Sequence, residues 1–478
     1  MLAVVENNDT PRTPISYGRI MPAPSFEGPH AGELEQQLLT MAAEMGSKAS
    51  PGGPVLDVLR PPAGYTYFSQ FVDHDLSNNI TDVEKLKEDP DASRNARSAK
   101  LDLDHVYDGP SGIYESNGTH FKIGLTEEVV LSGQRAQPAF DDLPRVYLGG
   151  GHWRAVVADE RADQNMILSQ MHVAFMKAHN RLLTAPELGQ EAYAHLPSPF
   201  ERARQCLIWH YQYAAVEDWL RAMTLDGTVE AVLIQEAASW LRGKDGELQF
   251  PIEMSAAAFR FGHTMVRGSY SPNGQRGPVP LDRLCGVLAE RPIPSDLVID
   301  WEFFFRAGSS PRHNFANVID TYLAPPLAAL DTLGFDGLQT SLAARTLIRG
   351  ARCRLPSGQA LADFFGVKRL ALEPLIRTSA GWLLVKGGML EQTPLFYYIL
   401  AEAEHLGVRQ RNGAGIPGTR LGPLGSLLLA KTIIGLLKSD LLSYLNAPAW
   451  KPFLFTNRNN SPLLNLLNYG NGNDPAAT

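Results

Sequence analysis

The segment from Phe68 to Asp75 combines residue types that could do acid–base chemistry. His74 stands between the carboxylates of Asp73 and Asp75, and Gln70 precedes it by about one helical turn. An imidazole takes up and releases protons near neutral pH, so His74 could act as a general base. Taken alone, the segment could equally be the solvated polar end of a helix.

A second segment has the residue types of a site for a hard cation. Ser98, Asp102 and Asp104 fall at even offsets, so an extended or looped backbone would point their oxygen atoms to one side. Calcium takes roughly six to eight oxygen ligands, backbone carbonyls included. The pattern is not that of an EF-hand, because it lacks the glycine at the turn and the final glutamate. A half-buried strand with a polar face explains the segment about as well.

Two further segments place a cation or an imidazole at a helix. Arg161 precedes an amphipathic helical pattern that Asp163 could cap. His263 stands in the apolar segment Phe259–Val266, with Arg260 one turn earlier on the same face. Taken singly, a solvated charge and a satisfied core histidine are the commoner explanations, and a haem or metal ligand is the rarer one.

The elements that must position these residues are mainly helices. Helical periodicity is found at Glu33–Met45, Ile167–Leu182, Pro199–Met223, Ser255–Val266, Ser341–Arg349, Pro394–Glu404 and Gly425–Leu445. Strand candidates are short, at Val129–Leu131 and Ala155–Val157. We therefore predict a mainly α fold: one large helical domain over residues 61–450 with long irregular loops and little β structure. An extended N-terminal arm (residues 1–60) would precede it, and a C-terminal tail (residues 451–478) would follow.

Composition and charge exclude several classes of protein. The 478 residues include 43 basic and 51 acidic side chains, a net charge of −8, which argues against a general nucleic-acid binder. No apolar stretch reaches the roughly eighteen residues of a spanning helix, and the N-terminus does not resemble a secretory signal. The three scattered cysteines favour a reducing compartment over a disulfide framework. We expect a cytoplasmic protein.

Taken in order, these segments resemble the animal-type haem peroxidase superfamily, including its bacterial members and its cyclooxygenase and α-dioxygenase branches. The resemblance runs from about Phe68 to about Tyr444. It is carried by residues 68–75, 101–107, 161–165, 171–181, 259–264, 349, 355–359, 393–398 and 421–425. The resemblance implies the helical fold of that superfamily, bound haem b and bound Ca²⁺.

On the side of haem where peroxide binds, the resemblance implies three roles. His74 would be the distal base, which takes a proton from peroxide and returns it to the leaving oxygen. Arg161 would be the fixed cation that stabilises negative charge as the O–O bond breaks. Gln70 would line the site for peroxide and small anions.

The resemblance also implies the residues that hold haem and calcium. His263 would be the axial ligand of the haem iron. Arg260 and Arg349 would pair with the haem propionates. The calcium ligands would be Asp75, Ser98, the Lys100 carbonyl, Asp102 and Asp104.

Three positions depart from the family pattern. Gln164 stands where the family usually has a glutamate that forms an ester with haem; Asp73 keeps the other ester position, so at most one covalent link is expected. Thr346 replaces an asparagine that accepts the N–H of the axial histidine, which should raise the iron potential and weaken peroxide cleavage. Arg260 occupies the position of the radical-forming tyrosine of the dioxygenases, which disfavours fatty-acid dioxygenation.

The leading prediction is a haem-dependent oxidoreductase that uses H₂O₂ to oxidise a halide or a small organic molecule such as an aromatic compound. Two alternatives stay open: a haem-dependent oxygenase or dioxygenase of a biosynthetic pathway, and a catalytically weakened haem-binding redox protein. Thr346 and Gln164 make the last one thinkable. The intact set of His74, Gln70 and Arg161 favours the enzyme, because a non-catalytic haem pocket does not need all three.

Overall fold

The computed structural model describes residues 13–22, 31–47, 60–129, 140–285, 291–305, 313–333, 341–411, 414–455, 457 and 459–472. Nine helices of eight or more residues form the framework of this part of the chain. They are α1 (Ala31–Met45), α2 (Gly64–Leu76), α3 (Met166–Leu182), α4 (Pro199–Ala214), α5 (Leu342–Arg352), α6 (Ser379–Lys386), α7 (Leu395–Leu406), α8 (Pro423–Ser439) and α9 (Pro462–Asn471).

Shorter helices connect the long ones. α4 continues through one wider turn, Ala215–Leu220, into Arg221–Met223. The other short α-helices are Asp104–Tyr107, Thr228–Leu233, Ile252–Ala256, Leu281–Leu284, Glu302–Phe305, Gly358–Phe364 and Leu372–Leu375. Single 3₁₀ turns are Val83–Lys87, Ser111–Ile113, Glu160–Asp163, Pro186–Gly189, Glu191–Tyr193, Ser239–Leu241, Ala258–His263, Ser295–Leu297, Pro325–Ala328, Leu330–Leu333 and Tyr444–Asn446.

The β structure consists of small antiparallel pairs at the ends of loops. The pairs are Ile15–Ser16 with Arg94–Asn95, Gly124–Leu125 with Asp141–Asp142, Arg145–Gly149 with His152–Ala155, Ser269–Tyr270 with Val279–Pro280, and Arg409–Arg411 with Ala414–Ile416. The predicted mainly α architecture is therefore confirmed. Of the two predicted strands, Ala155–Val157 is a strand only at Ala155, and Val129–Leu131 lies partly outside the described residues.

Two helix predictions were wrong in their extent. The helix predicted over Ser255–Val266 is broken at Ala257, whose backbone angles (φ −142°, ψ −66°) are not helical. A separate 3₁₀ segment, Ala258–His263, follows the break and carries His263. The helix predicted over Gly425–Leu445 ends at Ser439, because Asp440 takes an extended backbone conformation.

One hydrophobic core connects the described helices from α1 to α9. α9 falls in the region predicted as a C-terminal tail, yet it packs along α3, where the Arg181 side chain donates to the Tyr469 carbonyl at 3.0 Å. α2 lies deep in this core, since a side chain added at Gly64 would overlap the Phe305 ring. No helix within the described ranges is both long and apolar enough to cross a bilayer.

Candidate active site

A cavity of about 300 Å³ brings together most of the residues that the sequence nominated for haem and peroxide. Its wall is formed by α2, by the segment before α3, and by the short helix Ala258–His263. The nominated residues in this wall are Gln70, Asp73, His74, Arg161, Gln164, Arg260 and His263. Arg349 and Thr346 lie on α5 and are not part of it.

His74 lies in the last turn of α2 and is buried. Its Nδ1 has no hydrogen-bond partner in the described part of the chain. Burial and then the positive charge of Arg161 lower the pKa of His74 well below its ordinary value. The imidazole is therefore neutral at pH 7, and its lone pair can accept a proton.

Arg161 anchors the end of α2. Its guanidinium donates to the carbonyl oxygens of His74 (3.1 Å) and Ser77 (2.8 Å), and it forms an ion pair with Asp159 at 2.7 Å. Burial opposes ionisation of Asp159, but the charges of Arg161 and Arg97 outweigh it and hold the pKa of Asp159 far below its ordinary value. Arg161 is thus a fixed cation that also holds the turn carrying His74. No sequence pattern identified Asp159 as the partner of Arg161.

Amide side chains join α2 to the start of α3. Gln70 donates to the amide oxygen of Gln164 (3.3 Å) and accepts from Asn165 (3.2 Å). Asn165 also caps α3 by accepting from the Leu168 amide at 2.8 Å. Asp163, which the sequence offered as that cap, instead pairs with Arg145 at 2.6 Å.

His263 is oriented without help from a hydrogen-bond acceptor. Burial, with the charge of Arg260 adding to it, lowers the pKa of His263 to about 3, so the imidazole is neutral. Its Nδ1 is buried and has no partner among the described residues. The hydroxyl of Thr346 donates to the carbonyl oxygen of Leu342 in its own helix at 2.9 Å. Thr346 is therefore engaged elsewhere and does not replace the family's asparagine.

Arg260 is held by the carboxylate that the sequence offered as an ester residue. Its Nη1 lies 2.9 Å from Asp73 Oδ2, and its Nε donates to the Ser255 carbonyl at 2.7 Å. Arg349 is mostly buried, and burial with the charge of Arg260 lowers its pKa. Arg345, one helical turn before Arg349, lines the cavity; the sequence analysis missed it, although the i, i+4 spacing was visible.

The residues of this cavity fit haem. Residues of its wall carry buried polar atoms that have no hydrogen-bond partner within the described chain: Thr66 Oγ1, Asp73 Oδ1 and His74 Nδ1. His263 offers a neutral imidazole, as an axial ligand of iron must. Arg345 in the wall and Arg349 behind it add positive charge beside the Arg260–Asp73 pair, and two propionates would offset that charge.

The predicted calcium loop closes around carboxylates beneath α2. Ser98 Oγ donates to Asp102 at 3.0 Å, and the Ser98 amide donates to Asp104 at 3.1 Å. Ala99 and Leu103 take left-handed backbone conformations (φ 57° each), the kind of local strain found at ligand sites. Ligand atoms of Asp75, Asp104 and His105 lie within 4.8 Å of one another.

These residues also fit a cation. Asp75 is fully buried, no hydrogen bond of ordinary geometry reaches its Oδ2 within the described chain, and burial raises its pKa to about 7. A bound cation would keep this carboxylate ionised. Asp102 is not one of the three residues whose ligand atoms lie close together, and it accepts a hydrogen bond from Ser98 instead. His105 is one of the three, although the sequence did not nominate it.

A larger cavity of about 840 Å³ lies beside α5 and is lined by Thr346 and Leu347 on that helix and by Phe396 on α7. The Phe396 ring centroid is 6.3 Å from that of His263. Helix α5 thus takes part in both cavities, with Leu342 and Arg345 facing the smaller one.

Comparison with known proteins agrees with this geometry. Residues 84–285 match the family model for the animal haem peroxidase. No curated protein matches the sequence. The matched range contains Arg161 and His263 but begins after α2, so the placement of His74 comes from the fold.

Solved structures share the fold over almost the whole chain. Peroxidase A from Dictyostelium discoideum is 15% identical, with a TM-score of 0.58 over 94% of this chain and 92% of that one. The fatty acid α-dioxygenase of Arabidopsis thaliana is 12% identical, with a TM-score of 0.56 over 93% and 74%. That of Oryza sativa, determined with palmitic acid, is 12% identical, with a TM-score of 0.58 over 96% and 80%. The family match over residues 84–285 and the fold shared with these structures confirm the predicted resemblance to the animal haem peroxidase superfamily.

Proposed function

We propose that this chain is a haem-dependent oxidoreductase that uses H₂O₂ to oxidise a small organic molecule or a halide. The observation that carries the proposal is the neutral imidazole of His74, held by Arg161 in the same cavity as His263. A proton acceptor, a fixed cation and an axial ligand in one cavity are what peroxide cleavage at haem requires.

In this proposal the protein binds haem and moves one proton. Bound haem would supply the iron at which peroxide is cleaved, and H₂O₂ would supply the two oxidising equivalents that pass to the substrate. His263 would ligate the iron, and Arg345 and Arg349 would hold the propionates. His74 accepts the proton of the hydroperoxide O–H and returns it to the leaving oxygen, so water leaves instead of hydroxide. Arg161 keeps His74 in place and adds positive charge where negative charge develops.

Fatty-acid dioxygenation is the less supported alternative, although two structural neighbours catalyse it. The radical tyrosine of that branch is replaced by Arg260, whose guanidinium is paired with Asp73. An arginine cannot form the phenoxyl radical on which that chemistry depends. The second alternative, a weakened redox protein, is favoured by the unpaired Nδ1 of His263.

The proposal is tested by loading the purified protein with haem and following guaiacol oxidation after addition of H₂O₂. We expect a Soret band, a spectral change on one equivalent of peroxide, and steady turnover. His263→Ala should lose the normal axial ligation and the turnover with it. A protein that shows no haem band after expression with supplied haem would refute the assignment.

We also propose that Ca²⁺ is bound by Asp75, Ser98, the Lys100 carbonyl, Asp102 and Asp104. Removing it with EDTA should lower the melting temperature by a few degrees, since a ligand at 100 times its Kd stabilises by about 2.7 kcal/mol. Added Ca²⁺ should restore the loss, and Asp104→Asn should abolish the response. Asp108→Asn, an acidic residue of the same segment outside the ligand set, is the control. If elemental analysis found no calcium in the protein and EDTA did not change the melting temperature, these results would contradict the site.

A further inference from the structure

We propose that His105 is a positioning residue that aims the Asp75 carboxylate at the cation and thereby steadies the turn carrying His74. The inference rests on the calcium site proposed above. His105 lies outside the expected ligand set, and the pattern of oxygen ligands in the sequence did not identify it.

The contact with His105 gives the two carboxylate oxygens of Asp75 different surroundings. His105 Nδ1 lies 3.0 Å from Asp75 Oδ1, and both side chains are fully buried. No hydrogen bond of ordinary geometry reaches Asp75 Oδ2 within the described chain, although the Tyr211 hydroxyl lies close to this carboxylate. With Oδ1 occupied by the imidazole, Oδ2 is the oxygen left to meet a cation. Carboxylates that bind metals are commonly oriented in this way by a second hydrogen bond.

The ionised carboxylate of Asp75 gives the hydrogen bond its direction. A carboxylate that binds a cation is ionised and can only accept a hydrogen bond, so the ring nitrogen 3.0 Å from Asp75 Oδ1 must be the donor. The proton therefore resides on Nδ1, and His105 donates to Asp75.

Packing prevents the His105 ring from turning away. The Phe71 ring of α2 lies 4.4 Å from it between centroids, and the His172 ring of α3 lies 5.0 Å from it. His105 also directly follows Asp104, so one short helix brings both to Asp75. Asp75 in turn directly follows His74. The His74 carbonyl accepts a hydrogen bond from Arg161, which lies in the segment before α3.

Two variants of His105 separate its hydrogen bond from its packing. His105→Phe keeps a ring against Phe71 but has no donor, whereas His105→Asn keeps an N–H near the position of Nδ1. His172→Phe is the matched control, since His172 is equally buried and stacks on the same Phe71 ring but does not bond Asp75. His105→Leu replaces the Phe variant if that one does not fold.

The experiment is calorimetric titration of Ca²⁺ into the haem-loaded, calcium-stripped protein. We expect His105→Phe to weaken Ca²⁺ binding about tenfold or more, the usual effect of losing such a hydrogen bond. His105→Asn should stay within about threefold of the parent and His172→Phe within about twofold. The peroxide rate of His105→Phe should also depend on added Ca²⁺ in a range where that of the parent is already saturated.

The outcomes distinguish the two proposals. Equal Ca²⁺ affinity in His105→Phe and the parent would overturn the role of His105 and leave the calcium site standing. A parent that binds no Ca²⁺ would overturn both, while the guaiacol assay judges the peroxidase function independently. Loss of affinity in His105→Asn and His172→Phe as large as in His105→Phe would show an effect of packing alone and would also overturn the inference.

Discussion

Replacing His74 by alanine is expected to slow the reaction with H₂O₂ by about 10²- to 10⁴-fold, the usual contribution of a general base. His74 is the neutral imidazole in the cavity wall, and no other histidine of the described chain lines that cavity except His263, the proposed iron ligand. Haem should remain bound, because His263 and the arginines of the propionate site are unchanged. The measurement is the bimolecular rate of the spectral change after mixing with peroxide, with the Soret band as the check on haem content.

His74→Gln is the sharper form of the same test. Glutamine keeps hydrogen-bonding groups and much of the volume but cannot act as a base near neutral pH, so it should be nearly as slow as alanine. His210→Ala is the control for losing a buried, neutral histidine, because His210 does not line the cavity and its ring packs on Trp450 and Phe453. A full peroxide rate in His74→Ala would show that another group moves the proton and would remove the central support of the proposed function.

The pH dependence of the parent follows from the same residue. The pKa of His74 is lowered by burial and by Arg161, so the imidazole stays a base below its ordinary titration range. The peroxide rate should therefore be flat from neutral pH down to below the ordinary pKa of histidine and fall only in more acidic solution. A histidine whose pKa is lower in the folded protein than in the unfolded chain stops acting as a base only when the pH falls below that lowered pKa.

The sequence predicted that several distant residues would share one site, because motifs in a fixed order constrain which side chains can meet. His74, Arg161 and His263 are far apart in sequence, yet the structure brings all three into one cavity wall. The helix that follows Arg161 was also predicted, at Ile167–Leu182, whereas α2, which carries His74, was not among the predicted helices. What the pattern could not show was the break at Ala257, where tertiary packing prevails over helical periodicity.

The partners of these residues were not predictable from the sequence. Several acidic residues lie near Arg161, and only the fold shows that Asp159 meets Arg161 while Asp163 meets Arg145. The pair of Arg260 with Asp73 likewise joins two elements whose approach no local pattern encodes. Such pairs depend on the angles at which helices pack, which one sequence leaves undetermined.

Thr346→Asn is expected to strengthen the peroxidase reaction about tenfold or more. His263 Nδ1 has no described acceptor, because the Thr346 hydroxyl donates to the Leu342 carbonyl of its own helix. An asparagine here, as in the family pattern, would offer an amide oxygen to the Nδ1 proton. That bond gives the axial imidazole more anionic character, which stabilises the oxidised iron; changes at such orienting partners typically alter activity 10- to 100-fold.

Two measurements on Thr346→Asn must move together. The haem reduction potential should fall by tens of millivolts, since about 59 mV corresponds to a tenfold change in a one-electron equilibrium. The rate with peroxide should rise at the same time. Thr40→Asn on α1 is the control, because Thr40 makes the same hydroxyl bond to its own helix, to the Gln36 carbonyl at 2.9 Å, at an exposed position.

The direction of this result distinguishes two of the functions that the sequence left open, a peroxide-using enzyme and a catalytically weakened haem-binding redox protein. A marked gain would mean that the parent reacts slowly with peroxide because its axial histidine is a weak donor, as expected of an enzyme tuned toward milder oxidation. A lower potential without a faster reaction would place the limit on the His74 side of haem. If neither quantity changed, the amide would not reach Nδ1, and the attribution of weak peroxide cleavage to Thr346 would be wrong.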